Sequence, residues 1–321
     1  FYDLMAVSPG VSQESEGSDG FSVFGSATQS NSWSVDGQDT SNADTGRSYW
    51  WINPDTIEEI QVLAVGAPAQ FGNMTGGAFN VVTKSGTNDF RGSLNAYFQT
   101  SGLTDDGPEI NGIAFNRDEF LDFSATLGGP IVKDKAWFFL AYQNFSDTYS
   151  EPGVDPAYPT LFPSIKYDGK LNVAISDSIL MDAKFHFEDW EWEYGDAFST
   201  ADAQGNQGGD NPAWGLGFDM VLNDSNLLEI GYAGWRGDEH WRSRTGSTDD
   251  PFIDYSPPGG GPPLYSGSLW YPYQYDLVRD QLDATLSHHA DEFLKGDHEF
   301  KFGVAYGQGS NDTITAGGVN G

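Results

Sequence analysis

The 321-residue chain has no cysteine. Disulfides and thiolate metal sites are therefore excluded, and redox compartment stays open. Positive charge is scarce: 15 Lys and Arg stand against 47 Asp and Glu, a formal net charge of −32. Such a chain repels phosphate backbones and has no basic patch, which excludes nucleic acid as a partner. No apolar run approaches the roughly 20 residues that a membrane helix needs; the longest is Ala136–Tyr142. A membrane reading must then be a β-barrel reading, in which only alternate residues meet lipid. An initiating Met is missing too: the chain starts at Phe1 and ends in a Gly/Asn-rich stretch. It is expected to be a piece of something longer, with any signal peptide outside it. Phosphate-cradling loops, nucleophile elbows, His/Glu zinc motifs and calcium loops of the EF-hand kind are all missing. No catalytic residue, cofactor or metal is expected, and the chain does not read as an enzyme.

What the chain does have is aromatic residues, 15% against only 38% hydrophobic. That content is too high for a disordered chain. From Asn88 onward, segments of about ten residues alternate apolar and polar, the period of a strand with two unlike faces. Leu121, Phe123, Ala125 and Leu127 alternate with Asp122, Ser124 and Thr126. The same holds for 171–176, 179–188, 214–222, 228–232, 282–287 and 300–306; with Gly92–Gln99 and Ala136–Phe145 this predicts about nine strands. The polar phase carries Asp, Lys, His and Glu in mid-strand. A soluble sandwich would turn that face to water, a barrel to its lumen.

Connection length separates the two. Links at 128–135, 176–178, 223–226 and 290–297 are short; those at 100–120, 146–164, 189–213 and 236–274 are long. Short and long alternate down the chain, as in a transmembrane barrel with tight periplasmic turns and long outer loops. Aromatics near strand ends (Tyr97, Phe98, Trp137, Phe138, Trp190, Trp192, Trp235, Tyr271, Tyr273, Tyr275) fit interfacial girdles.

Upstream, Ile-Glu-Glu-Ile-Gln-Val-Leu at 57–63 and a block from Gly76 to Asn88 flank a Gly-rich turn that contains Ala-Gln-Phe-Gly at 69–72. Two short β runs, 57–65 and 79–83, should pack around this turn, whose glycines sit where no Cβ is tolerated. The wording of this unit resembles the plug domain of TonB-dependent outer-membrane receptors, Oar-like subtype. The matching positions are Ile57, Glu59, Ile60, Val62, Phe71, Gly72, Gly76, Gly77, Asn80, Thr83, Lys84 and Gly86. Leu4–Val11 and Ser34–Asp39, with its Asp36-Gly37 pair, are similar to earlier plug segments. One departure is Val65-Gly66, where many siderophore receptors carry an Arg before the Gly; it points away from a siderophore as solute. The resemblance implies an all-β fold with a small α/β plug. Residues 1–88 would be the C-terminal part of the plug, and residues 89–321 the N-terminal part of a transmembrane antiparallel β-barrel in the cell outer membrane. It also implies import of a scarce, bulky solute, with the TonB complex as a partner acting through a segment outside this chain, and outer-membrane lipid around the wall.

If the plug apex meets the ligand, Arg47, Tyr49, Trp50 and Trp51 are the residues to name first. Glu188, Asp189, Glu191, Glu193, Asp196, Asp202 and Asp210 lie in a window, 185–235, without Lys or Arg. They read as a solvated loop surface or as attraction of divalent cations or a cationic ligand. Alternatives to the receptor are a passive porin or adhesin-like barrel, and a secreted β-rich carbohydrate-binding protein with Trp190, Trp192 and Trp241 as sugar platforms. Adjacent His288 and His289 point to opposite strand faces, so no joint metal site is expected.

Overall fold

The structure, a computed structural model, describes residues 5–14, 20–42, 47–63, 75–105, 107–110, 112–255, 263–269, 271–293 and 295–315. It has two parts. The first is a small globule holding β1 (Val11–Gln13), β2 (Phe21–Val23), β3 (Ser32–Val35), β4 (Gln38–Asp39), β5 (Ile57–Leu63) and β6 (Ala78–Thr83). β4, β3, β6 and β5 form one sheet in that order, with β3 parallel to β6. The Asp36-Gly37 dipeptide makes the β3–β4 hairpin: both residues have positive φ, 48° and 78°, as the two-residue turn between twisted strands requires. Trp33 stacks on Phe79 at 4.5 Å, and Phe21 packs against both. Gly76 and Gly77 have a different reason to be glycine. A Cβ there would lie 2.4 Å from Asn31 Oδ1 and 2.8 Å from a Val23 methyl. Phe71, Gly72 and the Val65-Gly66 pair lie outside the described residues.

The second part is a curved antiparallel sheet. Its strands are β7 (Arg91–Thr100), β10 (Asn116–Val132), β11 (Ala136–Ser150), β12 (Thr160–Ser176), β13 (Ile179–Tyr194), β14 (Gly205–Asp210), β15 (Ala213–Asn223), β16 (Asn226–Ser243), β19 (Tyr273–Phe293) and β20 (Gly296–Thr315). Two small hairpins, β8–β9 (Glu109–Ile110, Ile113–Ala114) and β17–β18 (Phe252–Asp254, Leu264–Ser266), decorate its loops. β14 and β15 both lie between β13 and β16, end to end, so ten strands occupy nine wall positions. β14 and β15 apart, each wall strand pairs with the next wall strand in the chain, and the wall runs from β7 at one edge to β20 at the other without closing. β10–β11, β12–β13, β15–β16 and β19–β20 meet at the end where β7 begins; β7–β10, β11–β12, β13–β14 and β16–β19 follow one another at the other end.

The burial of this wall is inside out for a water-soluble protein. Leu127, Leu140, Phe185, Leu282 and Phe302 stand exposed on the convex face. On the concave face Ser124, Gln143, Lys166, His186 and Glu188 are buried against the globule. Leu121, Phe123, Ala125 and Leu127 share the outward phase, opposite to Ser124. In a bilayer this arrangement is the stable one: apolar side chains meet lipid, and backbone polar groups pair from strand to strand. Long loops interlock above it, with the Arg244 guanidinium donating to the carbonyls of Tyr158 (2.8 Å) and Pro159 (2.5 Å) and to Glu193 Oε2 (3.0 Å).

Candidate functional site

The site is the contact between globule and wall, and the wall-facing end of the β3–β4 hairpin is its hub. The Asp36 carboxylate accepts from Thr83 N (2.9 Å), Thr83 Oγ1 (2.5 Å) and Lys170 Nζ (3.2 Å). Lys170 also donates to the Thr83 carbonyl and hydroxyl (3.1 and 3.2 Å), so all three of its protons are used. Lys184 Nζ donates to the Asp36 carbonyl at 2.8 Å. Two wall cations therefore grip one turn, and an ammonium held this way has no reason to leave for water.

Next to the hub, Asp39 forms an ion pair with Arg279, and its carbonyl accepts from Trp235 Nε1 at 3.2 Å. Gln38 Nε2 donates to the Gly234 carbonyl at 3.0 Å. Glu188, fully buried, accepts from Trp51 N (3.3 Å) and Ser164 Oγ (3.3 Å) and pairs with Lys166 at 3.4 Å. Glu188 is therefore a luminal residue, and the expectation that it belongs to a solvated outer loop is corrected. Glu193 likewise has a fixed partner in Arg244. Among the described residues no three acidic or histidine side chains converge as a metal site.

The four apex residues named from sequence are not one surface. Arg47 pairs with Glu14 at 3.0 Å. Tyr49 is buried and stacks on Trp235 at 4.7 Å. Trp50 is buried and stacks on His186 at 5.1 Å, whose Nδ1 shares a hydrogen bond with Asp168. Trp51 alone stands well exposed, edge-on to Phe162. Burial, reinforced by the charges of Glu239, Glu188 and Asp238, pushes the Tyr49 phenol well above its ordinary range. Its hydroxyl fills the space of a missing side chain: a Cβ at Gly237 would lie 2.1 Å from it. Gly237→Ala in the full receptor is expected to cost about 1–3 kcal/mol by overpacking, read as a lower temperature of heat-modifiable gel mobility. An unchanged midpoint would show that the Tyr49 ring has room to move.

The plug-motif residues divide by role. Ile57, Ile60 and Val62 pack against the globule's core, while Glu59 is exposed. Asn80 Oδ1 accepts from Ser34 Oγ at 2.9 Å, tying β6 to β3. Lys84 Nζ donates to the Asp55 carbonyl at 2.9 Å. Gly86 lies so close to the wall that a Cβ would be 2.3 Å from the Phe138 carbonyl oxygen. Sequence reasoning did not single out Lys166, Lys170, Lys184 or Arg279. The available signal was their phase: cations in a cation-poor chain, on the strand face opposite the apolar one.

Residues 1–78 match the family model described as TonB-dependent Receptor Plug Domain, and residues 82–182 match the one described as Outer membrane beta barrel domain. The chain belongs to the TonB-dependent receptors. It is 34% identical over 150 residues to the TonB-dependent transporter Oar of Myxococcus xanthus, 44% of this chain and 14% of that protein. It is 30% identical over 129 residues to the ferrienterobactin receptor of Escherichia coli (strain K12), 36% of this chain and 16% of that protein. The outer membrane transporter YddB from Escherichia coli superposes with a TM-score of 0.70 over 97% of this chain and 46% of that one; at 15% identity this speaks for the fold alone. The receptor chain thus spans well under two thirds of each of these relatives. The outer membrane is its place, and the globule and curved sheet are its plug and wall.

Proposed function

We propose that this receptor imports a solute across the outer membrane through a lumen its plug occludes, and that the TonB complex supplies the energy to move the plug. The observation that carries this reading is the plug–wall interface. Lys170, Lys184 and Arg279 hold the Asp36–Asp39 hairpin by charge and hydrogen bond. These contacts are short-ranged and directional, so the hairpin has one seated position that a displacement breaks and a return restores. We take residues 1–88 as the plug portion and 89–321 as the wall portion, with no catalytic role for either. Arg47, Tyr49, Trp50 and Trp51 remain our proposed ligand-facing stretch, with Trp51 making direct contact and the buried pair transmitting it to the wall.

The test uses the full-length receptor in cells. A Val35→Cys variant places a thiol at a buried position on the plug. Labelling by an impermeant maleimide should depend on TonB and on an energised inner membrane. Equal labelling with and without TonB would favour the passive-barrel reading instead.

A further inference from the structure

Above the latch, the outer half of the lumen is lined by a different chemistry. Paired residues on neighbouring strands share a face, and Trp235, which touches the plug, fixes which phase points inward. On that phase of β16 follow Gly237, Glu239 and Trp241; their partners on β19 are Leu277, Tyr275 and Tyr273. Trp241 also pairs with Gln207 of β14, and Gln207 with Trp192 of β13. Trp192, Tyr194, Trp241, Tyr273 and Tyr275 are thereby brought to one shelf around Glu239. Successive rings lie 4.5 Å (Trp192–Tyr194), 6.4 Å (Tyr194–Trp241), 5.2 Å (Trp241–Tyr273) and 4.2 Å (Tyr273–Tyr275) apart. Tyr194 and Trp241 meet over Gly205, where a Cβ would lie 2.6 Å from either ring.

Charge on this shelf is one-sided. Glu239 Oε1 accepts from Gln207 Nε2 (2.6 Å) and Tyr273 OH (3.2 Å), which fixes the carboxylate among the rings. Inward positions of β13 above Glu188, of β14, of β16 above Trp235 and of β19 above Arg279 hold no Lys or Arg. Arg242 of this arc is on the opposite phase, 3.9 Å from Glu191. The floor is Tyr49 of the plug, beneath Gly237. A carboxylate set among aromatic faces, in a chain of net charge −32, attracts a cation and repels a polyanion.

We propose that this shelf binds the solute through an ammonium or guanidinium group, so that the imported solute is cationic at the end that meets Glu239. The inference rests on the transport reading above and names the substrate class of the same lumen. A cation seated there contacts both Glu239 and the rim of Tyr49, which places the plug within reach of bound solute.

The experiment uses full-length receptor in detergent and three aromatic probes: benzylammonium and benzyl alcohol, which match in size, and the anion benzenesulfonate. Binding is followed by calorimetry and by tryptophan fluorescence. The cation should bind about tenfold tighter than the alcohol, more weakly as salt rises, and the sulfonate should not bind. Glu239→Gln should remove most of the cation's advantage and leave the alcohol unchanged; Trp241→Leu should weaken both. If either variant fails to fold, the ranking of the three probes on the wild-type receptor decides alone. Sulfonate binding equal to or tighter than the cation, or a folded Glu239→Gln with full cation affinity, overturns the proposal. If the ranking fails while plug labelling stays TonB-dependent, only the cation inference falls; if that dependence is lost as well, the transport reading falls with it.

Discussion

Asp36→Ala in the full receptor should turn an electrically silent channel into a leaking one in a planar bilayer. The substitution removes the acceptor for Thr83 N, Thr83 Oγ1 and Lys170 Nζ together. Lys170 and Asp36 are both nearly buried, at 11% and 8% side-chain exposure, so the variant strands an ammonium between plug and wall. Breaking a buried pair from one side costs about 3–5 kcal/mol. The loss of a good αL residue at a φ of 48° adds about 1 kcal/mol. Together these are a large share of the stability of a small globule. Removing the stranded charge should restore part of the loss, so Asp36→Ala with Lys170→Ala should leak less than Asp36→Ala alone. A silent single variant would mean that the Lys184 bond to the Asp36 carbonyl and the Arg279–Asp39 pair hold the plug without help.

The second large effect is expected on the other face. Phe185 stands half exposed in the middle of β13, on the convex side. An Arg there would face hydrocarbon and should cost about 2–4 kcal/mol, read as a lower denaturant midpoint for refolding into vesicles. Asp219 pairs with Leu180 two residues closer to the turn than the Gly217–Asp182 pair, among the carboxylates of Asp182 and Glu229, on the luminal side. Asp219→Arg relieves like charge and should be neutral or better. A sandwich buried on the Phe185 face would show a penalty for Phe185→Arg in detergent-free buffer, where the barrel has no folded reference at all.

Sequence alternation located the wall because lipid and lumen impose unlike faces on it. Where lipid ends, the signal ends. β14, Gly-Asn-Gln-Gly-Gly-Asp, has no apolar residue, and the sequence reading leaves it inside a long loop. In the structure it continues the wall beyond β15, where neither face is apolar along β14 and alternation has nothing to report. β16 runs to Ser243 and β19 starts at Tyr273 for the same reason. The Asp36-Gly37 turn was legible as a motif, but its role was not, because Lys170 lies 134 residues away and only the closing of the wall around the plug brings it near. The burial of Tyr49 and Trp50 was not legible, because aromatics on a loop read as exposed. Trp235 and His186, which cover them, lie on β16 and β13. Glu188 was misplaced by the same limit: counting charge in a window cannot see the single Lys166 across the sheet.

The apolar phase of these strands faces lipid and the polar phase faces the plug. The chain has no native cysteine, so single cysteines at 121 through 127 can carry nitroxide labels in full receptor reconstituted in bilayers. The expected profile has a period of two. Labels at 121, 123, 125 and 127 should collide readily with dissolved oxygen and poorly with a polar nickel chelate, and labels at 122, 124 and 126 should be shielded from both. A flat profile, or oxygen access on the even positions, would contradict it.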